Sequence, residues 1–84
     1  MKLRGCWADL TGADLRNHNF SKADLSGANL NESDITGVIL HQTVRDGWKI
    51  RDITCDYVYL DENRKKRDPE EGNFRPGEFE KLYR

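Results

Sequence analysis

Long apolar stretches are what this chain lacks most. Its longest run of aliphatic residues is Val38-Ile39-Leu40, far below the ~20 residues of a membrane span or the ~7–15 of a signal-peptide core. A soluble, cytoplasmic protein with no membrane partner is therefore expected. Leu, Ile, Val and Phe number only 18 of 84 residues, and charged residues make up 35% of the chain, so a conventional core would be thin. An excess of charge of one sign is missing too. Lys and Arg number 14 against 15 for Asp and Glu, a net of −1, which removes the basic surplus that a phosphate-bound nucleic acid requires. Cys6 and Cys55 are the only cysteines, too few for a disulfide framework. Together with His18 and His41 they form no C-x-x-C or H-x-x-x-H spacing, so both are read as small buried hydrophobes, with no metal and no cofactor. The chain has no Gly-rich phosphate loop, no G-x-S-x-G elbow and no helix with paired histidines. No catalytic residue, no enzyme activity and no small-molecule substrate is expected.

What the chain does have is a period. Residues 8 to 42 divide without gaps into seven blocks of five. The third residue of each block is large and apolar: Leu10, Leu15, Phe20, Leu25, Leu30, Ile35 and Leu40. The first is small in five of the seven, as Ala8, Ala13, Ala23, Ala28 and Ser33, and the second is Asp or Asn in six. Polar residues or Gly fill the last two places. A helix requires apolar residues three and four apart and a strand two apart; gaps of two alternating with gaps of three suit short extended pieces joined by turns.

In these A-(D/N)-L-x-x blocks the sequence resembles the pentapeptide-repeat family. The resemblance implies an all-β solenoid, a short right-handed quadrilateral β-helix in which each block forms one side. The central Leu and the small residue two before it then point inward, and Asp or Asn faces water. Four sides make a coil of twenty residues, so Leu10 is expected under Leu30, Leu15 under Ile35, Phe20 under Leu40, Ala8 under Ala28 and Ala13 under Ser33. Leu25 and Ala23 belong to the same core. His18, large and polar at a small inward position, is expected under Val38.

The five-residue frame continues past the strict repeats. Trp48 and Ile50, Ile53 and Cys55, and Val58 and Leu60 occupy the two inward positions, and Leu3 and Gly5 fall in phase before the strict repeats. A repeat domain over residues 3–62 follows, strict over 8–42 and degenerate over 43–62, with about two to three coils. Arg45 stands where a Leu belongs, and Asp46-Gly47 is a turn signal, so this side is expected to swing outward. Trp48, Ile53 and Val58 are large for their positions, which predicts that the third coil widens or unwinds. Residues 48 to 60 either continue the coil or form a hairpin strand; continuation to about residue 60 is the favoured reading. A hairpin turn carrying Arg64, Lys65, Lys66 and Arg67 is then expected, its charge offset by the surrounding Asp61, Glu62, Asp68, Glu70 and Glu71.

Residues 63–84 are read as a C-terminal loop and short helical cap, or as a linker to a further domain of a longer protein. Pro76 suits a first helical turn, and Phe79, Leu82 and Tyr83 share one face. So short a helix must dock on the coil end or on another chain. Trp48, Tyr57, Tyr59, Phe74, Phe79, Leu82 and Tyr83 are thus the candidate cap or interface residues, since aromatics at this density fill ends or anchor partners. Asp9, Asp14, Asp24 and Asp34 lie on a convex face without the water-excluding pocket an acid–base catalyst requires. The expected function is a protein–protein interaction or adaptor module that contacts another protein, or a second copy of itself, through its C-terminal end. The alternative implied by the resemblance is a DNA-mimicking, gyrase-binding protein. Against it, residues 1 to 42 carry four basic and five acidic residues, and three coils rise only about 15 Å.

Overall fold

Parallel backbone bridges join residues twenty apart in the computed structural model, which describes residues 8–84. They pair Asp9 with Asn29, Asp14 with Asp34, Asn19 with Ile39, Asp24 with Val44, Asn29 with Lys49, Asp34 with Thr54 and Ile39 with Tyr59. The chain is a β-solenoid whose coil is twenty residues long. Residues 8–27 and 28–47 make two full coils, and residues 48–59 lie in register on the second. Leu3, Gly5 and Cys6 of the expected frame lie outside the described residues.

Each block is held in two directions. Between coils, the Leu10 amide donates to the Asn29 carbonyl at 2.8 Å and the Asn29 amide to the Ala8 carbonyl at 2.8 Å. Within a coil, the Ala13 amide donates to the Leu10 carbonyl at 3.0 Å, and the Ala28 amide does the same to Leu25 at 3.0 Å. The corner after each side needs a left-handed residue. That residue is the fifth of the block, with φ of 71° at Gly12, 62° at Asn17, 62° at Glu32 and 55° at Asp52. Glycine suits a corner for a second reason at Gly37, where a Cβ would run into the Asn17 side chain.

The second position reads Asp or Asn because its short side chain closes the turn. The Asp9 carboxylate accepts from the Thr11 amide at 3.1 Å, Asn19 from Ser21 at 2.9 Å, Asn29 from Asn31 at 3.0 Å and Asp34 from Thr36 at 3.1 Å. These are Asx turns, in which a side-chain oxygen replaces a backbone acceptor for the amide two residues on.

The interior is a column of third-position side chains beside a column of first-position ones. Phe20, Leu25, Leu30, Ile35, Leu40, Ala23 and Ala28 are buried, whereas Leu10, Leu15, Ala8 and Ala13 at the lower end are half-buried. Two polar residues tolerate the interior because each has a partner. The Ser33 hydroxyl donates to the Leu30 carbonyl at 2.6 Å, and the Thr43 hydroxyl donates to the Phe20 carbonyl at 2.8 Å. His18 keeps the expected register beneath Val38, its carbonyl accepting from the Ile39 amide at 3.0 Å, but the residue is exposed, with Nδ1 3.0 Å from the Leu15 carbonyl and the ring stacked on Phe20 at 6.0 Å.

Two further expectations are corrected. The side at residues 43–47 does not swing outward: Val44 bridges Asp24, and the Leu25 amide donates to the Val44 carbonyl at 2.8 Å. The third coil does not unwind either. It keeps the twenty-residue register to Tyr59, because Trp48, Ile53 and Val58 find room at an end where no further coil competes for the interior. One local slip occurs where the Gly37 amide donates to the Tyr57 carbonyl at 2.7 Å. At the other stacked corners a fifth-position amide reaches a fourth-position carbonyl, as Gly12 reaches Asn31 at 3.0 Å and Glu32 reaches Arg51 at 2.9 Å.

After the solenoid the chain doubles back. Strand β1 (Val58–Tyr59) pairs antiparallel with β2 (Arg67–Asp68), and helix α1 covers Glu78–Tyr83. Residues 58 and 59 therefore serve both as the last step of the coil and as one arm of a hairpin. Leu60, placed inward by the frame, is 41% exposed because the chain leaves the column there.

Candidate functional site

The upper end of the solenoid carries most of the aromatic residues among those described, and the tail folds back over it. Asp61 starts this reversal: its carboxylate accepts from the Lys65 amide at 2.8 Å and the Lys66 amide at 2.9 Å, while the Leu60 amide donates to the Lys66 carbonyl at 2.8 Å. These backbone donors, the Lys66 amide foremost, hold the Asp61 carboxyl below the usual aspartate range. Arg64, Lys65 and Lys66 are exposed in the loop. Arg67 belongs to β2 instead. Its guanidinium lies 4.3 Å from the Tyr57 ring and donates to the Pro69 carbonyl at 2.7 Å and to Asn73 at 3.1 Å. Tyr57 is half-buried beneath it and meets Tyr59, also half-buried, in edge contact at 5.7 Å.

Beyond this hairpin the tail is tied to the last coil at three points and to the hairpin at a fourth. The Phe74 amide donates to the Asp56 carbonyl at 2.7 Å, and the Asp52 amide donates to the Glu80 carboxylate at 3.1 Å. The Trp48 indole donates to the Tyr83 carbonyl at 2.9 Å, and the Tyr83 hydroxyl donates to the Asp68 carboxylate. Between these ties lies an aromatic layer. Phe79 meets Trp48 at 6.2 Å and Phe74 at 5.6 Å, both edge to face, and stacks on Tyr83 at 4.4 Å. The helix forms as a single short segment with Gly77 left-handed at its N-terminal boundary, φ 81°. Pro76 precedes that glycine and so lies in the turn, outside the helix, in contrast to the expected first-turn position. Phe79 and Tyr83, four apart, face the coil. Leu82 turns away and is 61% exposed, so it does not share their docked face.

Burial sets the chemistry of the two nucleophilic groups here. It pushes the Cys55 thiol up to about 12, helped by the charge of Asp56. Burial also raises the Tyr83 phenol, helped by its bond to Asp68. Both groups stay protonated at neutral pH and are poor nucleophiles. No group of three or more His, Cys, Asp or Glu side chains suited to a metal ion occurs among the described residues.

Family comparison agrees with the register. The pentapeptide-repeat model matches residues 7–42 with eight copies. Over these residues the chain carries the repeats of the pentapeptide-repeat family. No curated protein and no solved structure matches it. The family is consistent with a non-catalytic, protein-interaction role. Among the described residues no helix is long and apolar enough to cross a membrane.

The geometry separates the candidate cap or interface residues into groups. Trp48, Phe74, Phe79 and Tyr83 fill the cap of this pentapeptide-repeat solenoid, Tyr57 lies under Arg67 with Tyr59 against it, and Leu82 remains on the surface. Three other contributors escaped the sequence reading. Glu80 and Asp68 tie the tail down, and Arg45 lies 5.8 Å over the Trp48 ring and 5.3 Å over Tyr83. Arg45 carried a signal, since a basic residue in an apolar frame position calls for an aromatic or acidic neighbour. Nothing in the sequence marked Glu80 or Asp68 among so many other carboxylates.

Proposed function

We propose that the chain is a non-catalytic protein–protein interaction or adaptor module of the cytoplasm. In this reading it is a right-handed, four-sided pentapeptide-repeat rod of about three coils, with residues 63–84 as its cap. Its upper, C-terminal end contacts another protein or a second copy of itself. The observation that carries the reading is how the acidic groups are used. Asp9 and Asp14 lie on the outer face, bound to the hydroxyl and amide of Thr11 and to the guanidinium and amide of Arg16, and these bonds hold both carboxyls low, Asp14 at about 2. Carboxylates so held close turns and are weak bases, which leaves the rod's faces and its end as what it presents to other molecules.

The DNA-mimic alternative is poorly supported by size and charge. The described residues extend 32 Å at most, a length over which a duplex carries about 19 negative charges, whereas the whole chain has a net charge of −1. The test is capture from a cell extract on the immobilised full chain, with excess free chain as competitor, beside a gyrase supercoiling assay. Saturable, competed capture of a protein with unchanged supercoiling is the expected result. Stoichiometric inhibition of gyrase would overturn the ranking, and capture that free chain fails to compete would sink the module reading.

A further inference from the structure

The side at residues 43–47 has no strand above it and, unlike the sides at 48–52 and 53–57, no hydrogen bond from the tail to its backbone among the described residues. The chain leaves the third coil at Leu60 for the hairpin, so the next side, which the frame would lay on residues 43–47, is absent. One coil lower, the same side is fully engaged. The Ala23 carbonyl accepts from the Val44 amide at 2.9 Å, the Leu25 amide donates to Val44 at 2.8 Å and the Gly27 amide donates to Asp46 at 2.9 Å. Their counterparts twenty residues on are the Thr43 carbonyl, the Arg45 amide and the Gly47 amide, and none of the three has a hydrogen-bonding partner among the described residues. They line an open groove of about 580 Å³ whose other wall is the end of helix α1.

The side chains around this edge say what would fill it. Val44 and Leu82, 43% and 61% exposed, both stand in the groove and are two of the three large hydrophobic residues exposed among the described residues. Arg45 is half-buried against two aromatic rings, and no carboxylate of the described residues pairs with it. Arg84 adds a second positive charge, against Asp46 as the only carboxylate side chain of the lining. A free edge presents backbone donors and acceptors in strand spacing and is a template for an added strand. A guanidinium with its faces on rings keeps its N–H edges for an oxygen acceptor, and a carboxylate matches them best.

We propose that residues 43–47 take an extended segment of a partner protein as an added strand, with an Asp or Glu of that segment on Arg45 and an apolar residue beside Val44. The proposal rests on the interaction-module reading and specifies its surface. A second copy fits less well, because two such edges paired antiparallel about Arg45 would set arginine against arginine.

The probe is the peptide acetyl-Thr-Val-Glu-Thr-Gly-amide, titrated into the isotope-labelled full chain and followed by amide NMR. Its Glu→Lys counterpart serves as control. Binding should shift the Arg45 and Gly47 amide signals and slow their hydrogen exchange at least tenfold, and the Lys peptide should bind at least tenfold more weakly. Arg45→Gln should erase that preference while leaving the amide contacts. Shifts confined to another face, equal binding of the two peptides, or a free protein that is already a dimer with these amides protected would each overturn the proposal. The module reading fails separately, by the absence of competed capture; a captured partner that leaves the Arg45 and Gly47 amides exchanging freely sinks only the edge assignment.

Discussion

Residues 8–37 and residues 38–60 share one coil geometry and hold it by different means. In the lower region every second-position residue is Asp or Asn, from Asp9 to Asp34, and each turn closes on that residue's own side chain. In the upper region that position holds Ile39, Val44, Lys49, Thr54 and Tyr59, none with an Asx oxygen. Acceptors come from the coil below instead: the Arg51 amide donates to Asn31 at 2.7 Å and the Asp56 amide to Thr36 at 3.0 Å. The rest of the support comes from the tail. Local chemistry thus starts the stack, and the stack, once formed, carries a sequence that lacks that chemistry.

The largest expected effect is one that removes the comparison altogether. Leu30 is fully buried, and the register places it between Leu10 and Ile50. Leu30→Lys puts an unpaired charge in the middle of the column and is expected to abolish the cooperative thermal transition seen by circular dichroism; a melt like that of the parent would refute the stacking register.

Phe79→Ala separates the two regions. Phe79 is 2% exposed at the centre of the aromatic layer, and truncating such a side chain costs about 3–5 kcal/mol. The loss is expected first at the top. Amides of residues 48–60 should exchange faster in deuterium, well before Leu15 or Phe20 respond. Uniform loss of protection would mean that the regions are not distinct.

Asn31→Ala tests the borrowed acceptor. It leaves every lower turn intact and removes the partner of the Arg51 amide, at an expected cost of about 1 kcal/mol, read from chemical denaturation with the Arg51 amide exchanging faster. No change in that amide would show that the upper coil does not depend on the lower one there.

The smallest effect runs the other way. Glu32 sits at a left-handed corner with φ 62°, a conformation that disfavours side chains with a Cβ by about 1–2 kcal/mol. Glycine recovers part of this against its larger unfolded-state entropy, so Glu32→Gly should stabilise by about 0.5 kcal/mol in denaturant midpoint. A clear destabilisation would mean that the corner is not strained.

The same contrast explains what the sequence could reveal. The family match stops at residue 42 although the bridges run on to Tyr59, because repeat recognition depends on small first positions and Asx turns, whereas the coil depends on two inward apolar columns. Those columns were legible as Trp48 with Ile50 and Ile53 with Cys55. The corners were half-legible: Gly12, Gly27, Gly37 and Gly47 recur at the fifth position, but Lys22 and Glu32 disguise a requirement that is conformational rather than chemical. The cap was legible as a set of aromatics and not as an arrangement. Phe79 and Leu82 look alike in a helical pattern, and only the seat on Trp48 decides which one is buried. The open edge at residues 43–47 had no sequence signal, since it exists because the chain departs elsewhere.

Among the described residues the ties that secure the tail reach Trp48, Asp52 and Asp56; lower in the rod they touch only the second coil's upper edge, with the Tyr83 ring above Arg45 and Glu62 3.5 Å from His41. Lid and shaft are therefore separable parts. A further twenty residues spliced into the lower rod would lift the same lid by one strand spacing, about 4.8 Å, and return it to the same compass bearing, whereas a splice of five would swing it a quarter-turn. Length in this architecture is a setting that can be changed in whole steps without redesigning the capped end.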